Sequence, residues 1–382
     1  MQTVLVTFGT RPEAIKMAPV VAALRARPED FRCVVCATAQ HRDMLDQVLP
    51  LFDLVPDIDL DLMRAGQSLN EVTSRVIAQM DRVIADCDAD VVVVQGDTTT
   101  AMGSGLAAFQ REVPVAHVEA GLRSGRLDAP FPEEMNRVVI DRLATHCFPP
   151  TPGADALLAA EGVPAARRLV TGNTAIDALL DLRGRLDTLD LPVRARLGEP
   201  ERLVLITAHR RESFGAPLLE VFGALQAIAL AHPDVTFVYP VHPNPNVLGP
   251  AHAHLTAPNL TLIEPVHYGE LAWLLDRAEL VISDSGGLQE ESPTLGKPLL
   301  VLREVTERPE VVDAGAALLV GTDRALIERE ATRLLGDAAA RATMGRPRLL
   351  FGDGHASERI AAHLAGAQPA PWTPDAHAPA GA

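Results

Sequence analysis

Lysine is nearly missing from this chain: of its 34 basic residues only Lys16 and Lys297 are lysines, and the rest are arginines. Lysine offers a compact point charge where arginine offers a planar fork. A drift of composition towards Arg and Ala accounts for Lys297 as a survivor, whereas Lys16 stands beside a helix start and reads as functional. Positive charge is short overall. The formal net charge is -16, which argues against nucleic acid or an anionic membrane surface as the main partner and requires any phosphate to be held in a local basic pocket. Cysteine is scarce too. The four, at 33, 36, 87 and 147, are too few for a disulfide framework. Cys33 and Cys36 form a C-x-x-C, but they lie in a strand, where residues three apart point to opposite faces, so they read as core thiols rather than a redox pair. Long apolar runs are absent: none approaches the ~20 residues of a membrane span. Met1 leads directly into a strand with no charged leader and signal core, so a cytoplasmic protein is expected.

What the chain has is length and a repeating pattern. Its 382 residues suffice for two ordinary α/β domains. Continuous apolar runs, such as Thr3–Phe8, Cys33–Thr38, Val91–Gln95 and Val113–Val118, alternate with helical stretches at 11–27 and 69–85. Buried strands alternating with helices predict parallel, doubly wound sheets. A strand at 170–173 is expected to close the first domain (1–170). A second (171–355) follows, with strands Leu203–Thr207, Thr236–Val241, Leu260–Glu264, Leu280–Ser283, Leu299–Leu302 and Ala317–Val320. A last helix (356–366) is expected to return to the first domain, and 367–382, rich in Pro and Ala, is expected to be disordered.

The chemistry gathers where strands end. The run Leu280–Ser283 stops at Asp284-Ser-Gly-Gly287 and a helix begins. Gly286 and Gly287 let backbone approach a ligand, and the unpaired N–H groups of the helix start suit a phosphate. Glu291, just over a helical turn on, can face a diol such as a ribose. Arg11 and Lys16 flank another helix start beyond Phe8, a second anion site. Asp97 and Glu119 end the next two strands, with Glu133 and Arg137 on the segment after them. Asp97 could instead cap a helix, although Thr98–Thr100 could do so equally, and Glu119 and Glu133 could be solvated surface carboxylates. Gly103-Ser-Gly-Leu-Ala-Ala108 has the spacing of a dinucleotide fingerprint but falls inside a helix, where close packing explains it better. His117 and Glu119 share a strand face without a third ligand at metal spacing, so a metal is not expected.

Taken together, Phe8-Gly-Thr-Arg-Pro-Glu-Ala-Ile-Lys-Met-Ala-Pro19, Ala39-Gln-His-Arg42, Gly96-Asp-Thr-Thr-Thr100, His117-Val-Glu-Ala-Gly-Leu-Arg123, Pro132-Glu-Glu134, His209-Arg-Arg-Glu212 and Asp284-Ser-Gly-Gly-Leu-Gln-Glu-Glu291 resemble the non-hydrolysing UDP-N-acetylglucosamine 2-epimerases. The resemblance spans about residues 1 to 365. It implies two Rossmann-like doubly wound domains facing across a cleft, as in the glycosyltransferase-B fold, in a homodimer that needs no cofactor. It implies reversible inversion at C2 of UDP-N-acetylglucosamine by loss and re-addition of UDP, in polysaccharide biosynthesis. On the same ground, Ser285, Gly286 and Gly287 would hold the diphosphate and Glu291 the ribose. Arg11, Lys16, His209, Arg137 and Arg308 would hold or activate the rest of the charged ligand, and Asp97, Glu119 and Glu133 would do acid–base work. A second, regulatory nucleotide site would involve Gln40, Gln67, Arg210 and His242. The alternatives are a hydrolysing 2-epimerase, a glycosyltransferase of the same fold, and a UDP-sugar sensor without turnover.

Overall fold

A computed structural model of the chain describes residues 1–38, 45, 47–64 and 66–374. The chain forms two compact units: Met1–Leu180 with Phe351–Pro374, and Asp181–Leu350. Each is a six-stranded parallel sheet flanked by helices.

In the first unit β1 (Gln2–Phe8), β2 (Phe31–Ala37), β3 (Ile58–Asp59), β4 (Val91–Gln95), β5 (Val115–Val118) and β6 (His146–Phe148) lie in the order β3-β2-β1-β4-β5-β6. Strand β1 pairs with β2 on one side and with β4 on the other, Val4 opposite Val91 and Val6 opposite Val93. Val4, Leu5, Val6 and Val92 to Val94 are fully buried. Such strands carry apolar residues on both faces because helices cover both. Each buried Val or Leu contributes roughly 1.5–3 kcal/mol. The strand order reverses between β1 and β4, the point at which open α/β sheets bind ligands beyond the strands' carboxyl ends.

The second unit repeats the scheme with β7 (Leu203–Thr207), β8 (Thr236–Pro240), β9 (Leu260–Ile263), β10 (Leu280–Ser283), β11 (Leu299–Val301) and β12 (Ala317–Leu319), ordered β12-β11-β10-β7-β8-β9. Its reversal falls between β7 and β10, where Leu280 faces Val204 and Ser283 faces Thr207. The core is continuous from Phe222 and Phe237 to Leu300 and Leu334, all buried.

Three expectations need correction. No strand forms at 170–173; the chain just before it meets β6 through a single bridge, from Cys147 to Arg168. Residues 171–180 nonetheless belong to the first unit, because Ile176 and Leu179 are buried and the Asn173 N–H donates to the Phe351 carbonyl at 2.6 Å. The boundaries therefore fall after Leu180 and before Phe351. Residues 367–374 of the tail are ordered: the Trp372 N–H donates to the Val170 carbonyl at 2.8 Å and the residue is 4% exposed. One aromatic ring was enough to dock a segment that has no periodic apolar face.

Candidate active site

In the first unit the turn after β1 is built around Glu13. Thr10 caps the helix Arg11–Arg25, with Pro12 in its first turn, and Glu13 closes a capping box. The carboxylate also accepts from Gly9 N (3.1 Å), Thr10 N (2.7 Å) and Thr98 Oγ1 (2.7 Å), tying the turn after β1 to the turn after β4. Burial pushes the Glu13 carboxyl up, and these donors offset part of that. Glycine is required at position 9, since a Cβ there would lie 2.5 Å from both Thr38 Oγ1 and Thr100 Oγ1. Arg11 opens the helix, half-buried and without an ion-pair partner among the described residues; burial lowers its pKa.

Lys16, on the same helix, forms an ion pair with the Glu119 carboxylate, which also accepts from Gln95 Nε2 at 2.9 Å. Glu119 sits at φ 65, a left-handed conformation that costs a non-glycine residue energy. A side chain held in such a backbone by a lysine and a glutamine is aimed, not solvated at random. Asp97 is not the helix cap: Thr98 takes that role, accepting from Ala101 N at 3.0 Å. The Asp97 carboxylate instead pairs with Arg137, whose guanidinium also reaches Glu134 at 2.9 Å, and Asn136 holds the Asp97 carbonyl at 2.9 Å. Glu134 is buried and accepts from Ser124 N and Gly125 N. Glu133 starts the helix Glu133–Leu143, partly exposed and without a hydrogen-bond partner among the described residues. The carboxyl edge of β4 and β5 thus gathers Asp97, Glu119, Lys16 and Arg137.

In the second unit Asp284, 1% exposed, follows β10 and organises the turn after β7. Its Oδ2 accepts from His209 N (2.5 Å) and Arg210 N (2.7 Å), and its Oδ1 lies 3.2 Å from His209 Nδ1. The exposed His209 ring stacks on His242 at 5.6 Å between centroids. Burial, then the neighbouring His209, lowers the His242 pKa. Ser283 Oγ accepts from Ser285 N at 2.9 Å, fixing the turn into the helix Gly286–Thr294. Ser285 supplies no side-chain cap, so the first N–H groups of this helix point outward at the sheet's ligand-binding edge.

The Arg308 guanidinium lies over that turn, 3.1 Å from where a Gly286 Cβ would stand, and is held by Glu290 at 2.6 Å. The buried Glu291 accepts from the Tyr268 hydroxyl at 2.9 Å. Burial, and the carboxylate after it, raises the Tyr268 pKa. Helix dipole, bare glycines and a fixed guanidinium make an anion cradle. The structure brings Arg308 against Gly286 on the turn that Ser285 and Gly287 share, while Glu291 lies farther along the same helix against Tyr268.

Of the residues expected at a regulatory site, Gln40 lies outside the described residues. Gln67 donates to the Arg64 carbonyl at 2.9 Å and accepts from Arg75 at 3.1 Å, in the first unit, whereas Arg210 and His242 belong to the second. Sequence reasoning missed Glu13, Gln95, Glu134, Tyr268 and Glu290. Glu13 carried a readable signal, the Thr10-x-x-Glu13 capping box, and Glu134 stands three residues before its partner Arg137; Gln95, Tyr268 and Glu290 act through contacts distant in sequence. No group of three or more His, Cys, Asp or Glu side chains among the described residues could hold a metal ion, and no helix among them is long and apolar enough to cross a membrane.

Comparison with known proteins adds to this geometry. A family model described as UDP-N-acetylglucosamine 2-epimerase matches residues 22–365. The chain is 50% identical over 364 residues to the UDP-N-acetylglucosamine 2-epimerase of Escherichia coli O157:H7, across 94% of this chain and 96% of that one. Among solved structures it resembles the Neisseria meningitidis UDP-GlcNAc 2-epimerase bound to UDP-GlcNAc, with TM-score 0.85 and 41% identity over 95% of this chain and 99% of that one. It also resembles the Methanocaldococcus jannaschii UDP-GlcNAc 2-epimerase in complex with UDP-GlcNAc and UDP, with TM-score 0.77 and 31% identity over 95% and 99%.

Proposed function

The chain belongs to the UDP-N-acetylglucosamine 2-epimerase family, and from that premise we propose that it interconverts UDP-N-acetylglucosamine and UDP-N-acetylmannosamine through 2-acetamidoglucal. The observation that carries the reading is the set of carboxylates on the carboxyl edge of one sheet, Asp97 paired with Arg137 and Glu119 paired with Lys16.

The chemistry needs such a set. The C2 proton of a nucleotide-bound hexosamine has no adjacent carbonyl, so a base cannot remove it unaided. The C1–O bond breaks first, its electron pair leaving with UDP, and the oxocarbenium character left at C1 acidifies the C2 proton. A carboxylate takes that proton and the glycal forms. Re-addition reverses both steps, the proton arriving on the opposite face of C2 as a UDP oxygen attacks C1. Cations and helix N–H groups stabilise the departing diphosphate. Ser285, Gly286, Gly287 and Arg308 suit that work, with Arg11, Lys16 and His209 assisting and Glu291 on the ribose. Asp97, Glu119 and Glu133 supply acid and base on the two faces. The same reading carries a homodimer working in the cytoplasm; light scattering of the purified protein checks the dimer.

Proton NMR of UDP-N-acetylglucosamine with the enzyme in heavy water tests the proposal. Both the product and the recovered substrate acquire deuterium at C2 without added NAD or metal. Inversion with the C2 proton retained overturns the glycal route. A glycosyltransferase or a sensor leaves C2 unexchanged, and a hydrolysing relative accumulates the free sugar.

A further inference from the structure

We infer that His117 is a positioning residue that acts as a buried imidazolium, pinning the turns that carry Asp97 and Glu119 to the helix Glu133–Leu143; the inference rests on the site proposed above. The ring lies on β5 and is fully buried. Its Nε2 lies 2.7 Å from the Gly96 carbonyl, which has only lone pairs to offer, so Nε2 carries a proton. Its Nδ1 lies 2.6 Å from Asp141 Oδ1. The other oxygen, Asp141 Oδ2, accepts from Gly121 N at 3.1 Å and from Arg123 at 2.7 Å. The Asp141 carboxyl is held below the ordinary carboxylate range against its burial, and the Arg123 guanidinium on Oδ2 favours the ionised form whatever the state of the ring. An ionised Asp141 can only accept, so Nδ1 donates as well. A ring that donates from both nitrogens is a cation.

Charge pairing accommodates this state: Asp141 takes both His117 and Arg123, and Arg123, itself nearly buried, also reaches the partly exposed Glu161 at 2.7 Å, so that two cations meet two carboxylates. Buried charges persist only when paired and hydrogen-bonded in this way. A doubly protonated ring also has no lone pair for a metal, whatever its spacing to Glu119.

Each bond lands where backbone needs holding. Gly96 has φ 67, Glu119 φ 65 and Gly121 φ 84, left-handed conformations immediately around the two proposed acid–base residues. Asp141 lies on the helix that starts at Glu133 and carries Arg137. One ring therefore sets the spacing of Asp97, Glu119 and Arg137 without touching substrate, and a displacement of about 1 Å in such groups costs up to ~10²-fold in rate.

The test uses the full-length protein with 15N-labelled histidine. Long-range proton–nitrogen NMR at neutral pH shows one of the 12 histidines with both ring nitrogens protonated, and His117→Gln removes that signal. In His117→Gln, kcat falls by ~10–10²-fold while KM for UDP-N-acetylglucosamine and UDP affinity by calorimetry change little, because the phosphate-binding groups are untouched. A neutral His117 ring in the unsubstituted protein overturns the inference, and so does an unchanged kcat in the variant. If the variant fails to fold, the spectrum of the unsubstituted protein still decides. An unsubstituted enzyme inactive as an epimerase would sink the proposed function while leaving the ring's charge to be read.

Discussion

Single side chains divide by whether they hold charge or move protons. Asp97→Asn keeps the shape that Arg137 and Asn136 grip but removes the carboxylate's charge. Turnover is expected to fall by ~10²-fold or more, the scale of acid–base catalysis, with UDP affinity by calorimetry retained. Near-normal turnover would assign Asp97 to holding Arg137. Glu291→Ala probes the other kind of residue. The Tyr268 hydroxyl loses its acceptor and the proposed ribose contacts disappear, so UDP binding weakens by roughly 1.5–3 kcal/mol for charge-assisted bonds. Unchanged UDP affinity would remove Glu291 from the site. These residues stood at strand ends or one helical turn past a glycine pair, places the sequence marks by itself. Their partners did not. Gln95 for Glu119 and Tyr268 for Glu291 are set by which strand or helix lies alongside, and no local pattern encodes that.

At the scale of elements, ten of the twelve strands among the described residues were legible because buried parallel strands are unbroken apolar runs, and their boundaries moved by only one or two residues; β3 and β6, two and three residues long, carry no such run and were missed. The segment 170–173 misled because Leu169-Val170 is as apolar as a strand, yet the chain there bridges β6 only once, at Arg168, and Val170 turns its carbonyl to Trp372 instead. The helix Ala356–Leu364 shows how an element is held by a residue far away in sequence. Asp177 caps it, accepting from Ala356 N (3.2 Å) and Ser357 N (2.7 Å). Burial pushes the Asp177 carboxyl up from 3.8 to about 6, with the N–H donors opposing. A carboxyl raised on folding contributes stability that is complete below its unfolded value of 3.8 and is lost as pH rises through about 6. The loss is on the order of 2–3 kcal/mol. His146, pushed down to about 4 mainly by burial and then by His363, works in the opposite direction over much of that window. The informative quantity is therefore the difference between the Asp177→Asn variant and the unsubstituted protein. From about pH 4 to pH 6 the variant is expected to gain Tm relative to the unsubstituted protein; parallel Tm curves would show that Asp177 does not titrate there.

For the whole molecule, the decisive fact is that the first unit is discontinuous. Asp181–Leu350 is one unbroken piece, whereas Met1–Leu180 is completed by Phe351–Pro374. A fragment of residues 181–350 is expected to melt cooperatively by circular dichroism. A fragment of residues 1–180 is expected to melt at lower temperature, and adding a peptide of residues 351–374 should restore it through Asp177, Asn173 and Val170, which hold that segment. Equal melting with and without the peptide would show that the returning segment adds nothing. Deleting 368–382 should by itself lower Tm, since it removes the buried Trp372; an unchanged Tm would mean the indole docks without consequence.

The same discontinuity sets a timetable for synthesis. The amino-terminal unit emerges first from the ribosome but cannot be completed until Phe351–Pro374 has been made, after all of Asp181–Leu350. At roughly 5–20 residues per second that is a wait on the order of ten seconds or more. During it the helix Arg11–Arg25, which packs against the helix Ala356–Leu364 in the finished protein, presents an uncovered apolar face. The unit begun first is finished last, and for that interval its uncovered face is a surface for a chaperone to cover.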